Sequence, residues 1–107
     1  MGAYAQPQIN AFSILRLFDL GLTPAAALEA PRWLLGGMDP ENPSSFVEAE
    51  GRVPRTASRA FEEAGYEVRW LRDLDEAVGH AHLIRVGPDG VLEAATDPRA
   101  DGSAAAA

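Results

Sequence analysis

Proline and glycine cut this chain into short pieces that must pack on one another to be stable. Gly21 and Pro24 close the first segment, Pro31 closes the second, and Gly36, Gly37, Pro40 and Pro43 crowd the stretch 36–45. Pro54, Gly65 and Pro88-Asp89-Gly90 punctuate the remainder. Proline fixes φ and glycine admits left-handed backbone, so regular structure has to fit between them. Apolar spacing then assigns each piece. Over 6–20, Ala11, Ile14, Leu15 and Phe18 recur at i, i+3, i+4 and i+7, which predicts a helix with that face buried and Leu17 widening it. Gly21 stands where a left-handed C-terminal cap belongs. Thr23 and Pro24 supply the N-cap and first residue of a short second helix, and Pro31 ends it.

Beyond the loop at 36–45, Phe46 to Glu50 reads as a short strand. Pro54 opens a third helix, with Ala57, Ala60, Phe61 and Ala64 facing inward and Gly65 as its cap. Tyr66, Val68 and Trp70 alternate with Glu67 and Arg69, the period of a half-buried strand. His80 to Val86 is a further strand. The turn chemistry of Pro88-Asp89-Gly90 returns Val91 to Ala95 beside it as a hairpin. The order α, α, β, α, β, β, β predicts an α+β fold, with helices on one face of a mostly antiparallel sheet. At 107 residues the chain suits one domain spanning 1–107. The tail at 100–107 has little to bury and is expected to be mobile.

Composition removes several functions. The net charge is -7, every one of the nine basic residues is Arg, and the Arg residues form no stripe, which argues against a nucleic-acid partner. No apolar run reaches the ~18 residues of a membrane span. No basic and apolar leader opens the chain; the compartment stays open between cytoplasm and periplasm, and any export signal would lie outside this chain. There is no cysteine, so disulfides, thiolate metal ligands and a thiol nucleophile are excluded. His80 and His82 have the spacing that puts two ligands on one strand face, but no local motif completes a zinc set; a hydrogen-bonding role is expected and no metal. Asp73, Asp75 and Glu76 lack the spacing and glycine of a calcium loop and read as a solvated loop. Trp33 and Trp70 read as packing residues, Arg32 as half of a helix-end salt bridge, and Asp97-Pro98-Arg99 with Asp101 as a tie for the C-terminal tail.

Four stretches occur in a telling order: Met1-Gly2-Ala3-Tyr4-Ala5-Gln6-Pro7-Gln8, then Ala30-Pro31-Arg32-Trp33-Leu34-Leu35-Gly36, then Gly79-His80-Ala81. Pro88-Asp89-Gly90 follows, with Thr96-Asp97-Pro98-Arg99 and Asp101-Gly102 near the end. Together they resemble the C-terminal part of the small subunit of bacterial gamma-glutamyltransferase-like enzymes, closer to the cephalosporin-acylase-like branch than to the glutathione-metabolising type. The resemblance implies an N-terminal-nucleophile hydrolase, made as a self-cleaving precursor and folded as a four-layer αββα sandwich. An N-terminal Thr attacks a gamma-glutamyl amide, its own amine can act as base, and no cofactor is implied.

The family's glycine pair falls on Gly2 and Ala3, whose backbone N–H groups would form an oxyanion hole. Ala3 departs from the usual second glycine. Ser13, Thr23, Thr56, Ser58 and Thr96 do not match the nucleophile motif, so the nucleophile and the gamma-glutamyl-gripping residues are expected upstream of this chain. The segment alone is expected to be inactive, with Gly2 and Ala3 loosely held and Ile14, Leu15 and Phe18 anchoring the helix behind them. Its expected partners are the remainder of the parent enzyme or a second copy of itself as a homo-oligomer, with gamma-glutamyl substrate bound only by the complete enzyme. A free-standing, non-catalytic interaction domain is the alternative, and Met1 as an internal residue of a longer chain is a third.

Overall fold

The computed structural model describes residues 3–36, 41 and 46–105. It is a mixed α+β structure. A 3-10 turn at Ala3–Ala5 runs into α1 (Gln6–Ile14), which widens into a π-helical turn at Leu15–Asp19. Gly21 then takes a φ of 64°, and Leu22 N–H reaches back to Arg16 C=O at 2.9 Å, a left-handed closure at the expected glycine. Thr23 caps α2 (Pro24–Glu29) by accepting from Ala26 N–H at 3.2 Å, with Pro24 in the first turn.

Three strands form the first sheet in the order β1 (Trp33–Leu35), β2 (Phe46–Glu50), β3 (Glu67–Leu71). β1 is antiparallel to β2. β3 is parallel to β2, with Phe46 opposite Glu67 and Glu50 opposite Leu71. The connection between those two strands is α3 (Arg55–Glu63), since parallel neighbours need a crossover long enough to carry the chain back. A separate antiparallel hairpin pairs β4 (His82–Val86) with β5 (Leu92–Thr96). Two of the three strand pairings among the described residues are therefore antiparallel.

Several expectations change here. β1 falls in a segment whose strand character was not read from the sequence. The tail beyond Ala105 and most of the 36–45 loop lie outside the described residues. The burial of α1 is reversed. Ile14, Leu15 and Phe18, expected to anchor the helix, are exposed, Phe18 by 73%. Ala5 and Ile9 are instead buried in a cluster with Leu34 and Val78, and Phe12 packs against it. The inner face carries Ser13, whose hydroxyl donates to Ile9 C=O, and Arg16, whose guanidinium donates to the carbonyls of Ala27 and Pro31. The wider turn at 15–19 also breaks the 3.6-residue period, so one stripe cannot continue along one face.

On α3, Ala60 and Ala64 face solvent while Ser58 is buried and Phe61 half-buried. Phe61 meets Trp33 at a ring-centroid distance of 4.6 Å, and Phe12 meets Trp33 edge-on at 5.1 Å. Trp33 is thus a packing residue that joins α1, β1 and α3. Trp70 is more open, and the Arg55 guanidinium lies 3.8 Å over its ring.

Candidate functional site

Two features could carry function: the turn that opens the described chain, and a buried ionic centre that ties the end of α2 and Glu50 of β2 to the residues after β5. The opening turn is fixed from below. Ala5 and Ile9 seat it in the core. Gln8 bridges to β1: its Oε1 accepts from Leu35 N–H at 2.9 Å and its Nε2 donates to Leu35 C=O at 3.2 Å. The first N–H groups of any helix lack an intrahelical acceptor, and Ala3 occupies that position in the turn. Gly2, the other half of the expected oxyanion pair, lies outside the described residues.

The ionic centre consists of Arg32, Glu50, Asp97 and Arg99, all buried. Arg99 uses all five of its N–H donors. Nε and Nη2 meet the two oxygens of Glu50 at 2.7 and 2.6 Å, and Nη1 meets Asp97 Oδ1 at 3.0 Å. Nη1 also reaches Leu28 C=O at 2.7 Å and Nη2 reaches Ala30 C=O at 3.1 Å, the last turn of α2 and its C-cap. Arg32 lies 2.6 Å from Asp97 Oδ2 and donates to Gly79 C=O at 2.8 Å.

The carboxylates bind backbone as well. Glu50 accepts from Arg32 N–H and Asp75 N–H, and Asp97 accepts from Ala81 N–H and Arg99 N–H. Two positive and two negative groups thus cancel in the interior, and the carboxylates satisfy those four backbone N–H groups, while the buried Arg32 Nε has no hydrogen-bond partner among the described residues. Breaking such a centre by removing one member is costly, because the others stay buried without a partner.

Burial by itself would raise the Asp97 carboxyl. The Arg32 charge and the hydrogen bonds from the Arg99 backbone and both guanidinium groups outweigh it and hold Asp97 below the usual carboxylate range. Burial lowers Arg16 to about 10, aided by repulsion from Arg32 and Arg99. A carboxylate held below its unfolded value contributes stability that is fully present above that unfolded value. The contribution is lost as pH falls through the folded one. The expected result is a flat stability from pH 7 to about 5 and a steep loss below about 4, the unfolded aspartate range. Asp97→Asn should flatten that acid limb in a urea titration across pH while lowering stability at pH 7. An unchanged acid limb would show that Asp97 is not the responsible group.

The remaining candidates have structural duties. His80 precedes β4 rather than lying on it. His82 Nδ1 is 3.0 Å from Thr96 Oγ1, its cross-strand partner. A hydroxyl beside an imidazole resembles a nucleophile and base, but no orienting group is hydrogen-bonded to that ring among the described residues. The pair is exposed and fixes hairpin register. Among the described residues, no group of three His, Asp or Glu side chains is placed to hold a metal. Asp73 accepts from Arg52 N–H, and Asp75 caps the turn at Glu76–Val78, so this loop is structured by its acids.

The expected tie through Asp97 and Arg99 is present, with Asp101 exposed beyond it, and Arg32 does form a salt bridge, but to the buried Asp97 after β5 rather than at the end of α2. Glu50 and Gln8 were not singled out from the sequence. Glu50 reads there as the polar end of a strand, and Gln8 carried a signal only as part of the Gln-Pro-Gln stretch.

Comparison with known proteins places the fold in a family. The oxamate amidohydrolase proenzyme of Klebsiella pneumoniae is 39% identical over 105 residues, 98% of this chain and 20% of that one. The glutathione hydrolase-like YwrD proenzyme of Bacillus subtilis is 33% identical over 96% of this chain and 19% of its own length. The cephalosporin acylase of Bacillus halodurans superimposes with a TM-score of 0.79 at 33% identity, over 96% of this chain and 18% of that one. The chain therefore spans about a fifth of the relatives it matches. The family model for gamma-glutamyltranspeptidase matches residues 1–107, and the chain belongs to the gamma-glutamyltranspeptidase family.

Proposed function

We propose that this chain is the C-terminal structural segment of an amide-cleaving, acyl-transferring enzyme whose nucleophile lies outside it. The observation that carries the proposal is the match along the whole chain to only a fifth of each relative's length. The three similar proteins are named for oxamate, glutathione and cephalosporin, which share an amide bond to an acyl carbon. Amide hydrolysis or acyl transfer is thus the reaction class, with a gamma-glutamyl or related acyl group as substrate.

Within it, the backbone N–H groups of Gly2 and Ala3 would stabilise the oxyanion of the tetrahedral intermediate. The nucleophile, an N-terminal Thr, would come from the preceding polypeptide. The buried hydroxyls here support this division, because Ser13 and Ser58 are committed to helix carbonyls. The remainder of the parent enzyme is the partner that completes the site, and it covers the apolar stripe of Ile14, Leu15 and Phe18.

The isolated chain is expected to release no product from a chromogenic gamma-glutamyl anilide, since donors without an attacking group leave the covalent step without its partner. Turnover by the chain alone that Thr96→Val abolishes would overturn the proposal and place a nucleophile inside this segment.

A further inference from the structure

The Gln8 amide makes a strand-like pair with one residue of a sheet edge. Arg32 C=O and Gly36 N–H bond to β2, to Glu50 N–H at 3.0 Å and Phe46 C=O at 2.7 Å. Backbone groups alternate in direction along an antiparallel strand, so those of Leu35 point away from β2. Gln8 satisfies both with one side chain. That task needs a donor and an acceptor a fixed distance apart, and among side chains of this length only glutamine carries both at neutral pH.

We infer that Gln8 is the positioning residue that sets the Ala3 N–H in the oxyanion hole, an inference that rests on the function proposed above. The apolar seating of Ala5 and Ile9 fixes the depth of the turn, but dispersion contacts are non-directional. The two directed bonds from Gln8 set the tilt of the helix that begins beside it. Ala3 lies five helical residues away, roughly 8 Å along the axis at about 1.5 Å per residue. A tilt of about 5° would therefore move its N–H by roughly 0.7 Å, more than the ~0.5 Å within which a preorganised donor must be held.

The test uses the full-length enzyme carrying this segment, with active sites counted by titration. Gln8→Met keeps the bulk and removes both bonds. It should lower kcat per active site at least about tenfold while KM changes less than about threefold, because the oxyanion exists only past the ground state. Affinity for a tetrahedral boronate inhibitor should fall in parallel with kcat. A purely structural loss would lower the active-site count and leave both per-site values unchanged.

Gln8→Glu serves as a second variant should Gln8→Met fail to fold. Its carboxyl, once protonated, again offers one donor and one acceptor, so its kcat relative to the parent should recover as pH falls. Ala3→Pro removes the donor itself at a position where proline suits a helix start. A large loss in Ala3→Pro with neither Gln8 variant altered would overturn the role of Gln8 alone. No loss in Ala3→Pro would overturn the oxyanion assignment and the role of Gln8 with it.

Discussion

Replacing Arg99 with Ala should unfold this chain or bring it to the edge of unfolding. The guanidinium is wholly buried and all five of its donors are used, on Glu50, Asp97 and the carbonyls of Leu28 and Ala30. Its loss leaves two buried carboxylates facing Arg32 alone, with net negative charge in the interior. Removing one partner of a buried ionic centre costs about 3–5 kcal/mol, against a total of about 5–15 kcal/mol for a domain.

Arg99→Lys restores the charge but not the planar fork, so it should recover only part of the loss. Arg72→Ala is the control. Arg72 is 74% exposed in its pair with Asp75, and such surface pairs contribute about 1 kcal/mol or less. Urea denaturation followed by circular dichroism should show a midpoint drop of more than about 1 M for Arg99→Ala, at a slope of about 1–3 kcal/mol/M, and almost none for Arg72→Ala. Similar midpoints for the two variants would show that the centre does not hold the fold.

The second large effect is on assembly. Leu17 and Phe18 border Ile84, Val86 and Val91 around an open groove of about 560 Å3, with Arg85, Asp89 and Glu93 at its rim. Phe18, Ile84 and Val86 are each about two-thirds exposed or more. Contiguous apolar surface of this kind is uncommon on a soluble monomer and marks a contact. The chain is also drawn out, 47 × 25 × 21 Å.

With that face uncovered, the isolated chain should self-associate and bind a hydrophobic dye. Phe18→Gln, Ile84→Thr and Val86→Thr together should abolish both. Thermal stability should change little, because substitutions at exposed positions usually stay within about 0.5 kcal/mol each. The unaltered chain behaving as a dye-free monomer in concentrated solution, by light scattering, would contradict this.

The same stripe explains what could and could not be read from the amino acids. Ile14, Leu15 and Phe18 form the stronger helical pattern, and a pattern marks a face suited to burial without saying against what. The face turned to this chain's own core is the mixed one of Ile9, Phe12, Ser13 and Arg16, where hydrogen bonds replace part of the apolar contact.

Local chemistry was legible. Thr23 with Pro24, Gly21 with its left-handed φ, and the Pro88-Asp89-Gly90 turn each act within a few residues. Pairing across long loops was not. β1 is three residues long and finds β2 across the 36–45 loop, and the parallel register of β2 with β3 leaves no mark on either strand's alternation. The ionic centre was half legible. The Asp97-Pro98-Arg99 tie stood out through its place in the family order, whereas Glu50 ends a strand as an ordinary surface acid would. Nothing local distinguishes a carboxylate that will meet an arginine 49 residues later.

The most direct measurement is complementation. The parent polypeptide truncated before this segment, and the 107-residue chain, are prepared separately and then together, and gamma-glutamyl anilide hydrolysis is followed. Activity should be absent from either part, should appear when the two are co-expressed, and should be lost again with Phe18→Gln, Ile84→Thr and Val86→Thr. Full activity from the truncated polypeptide, or from the chain alone, would contradict the proposal that this segment completes an acyl site whose nucleophile it does not contain.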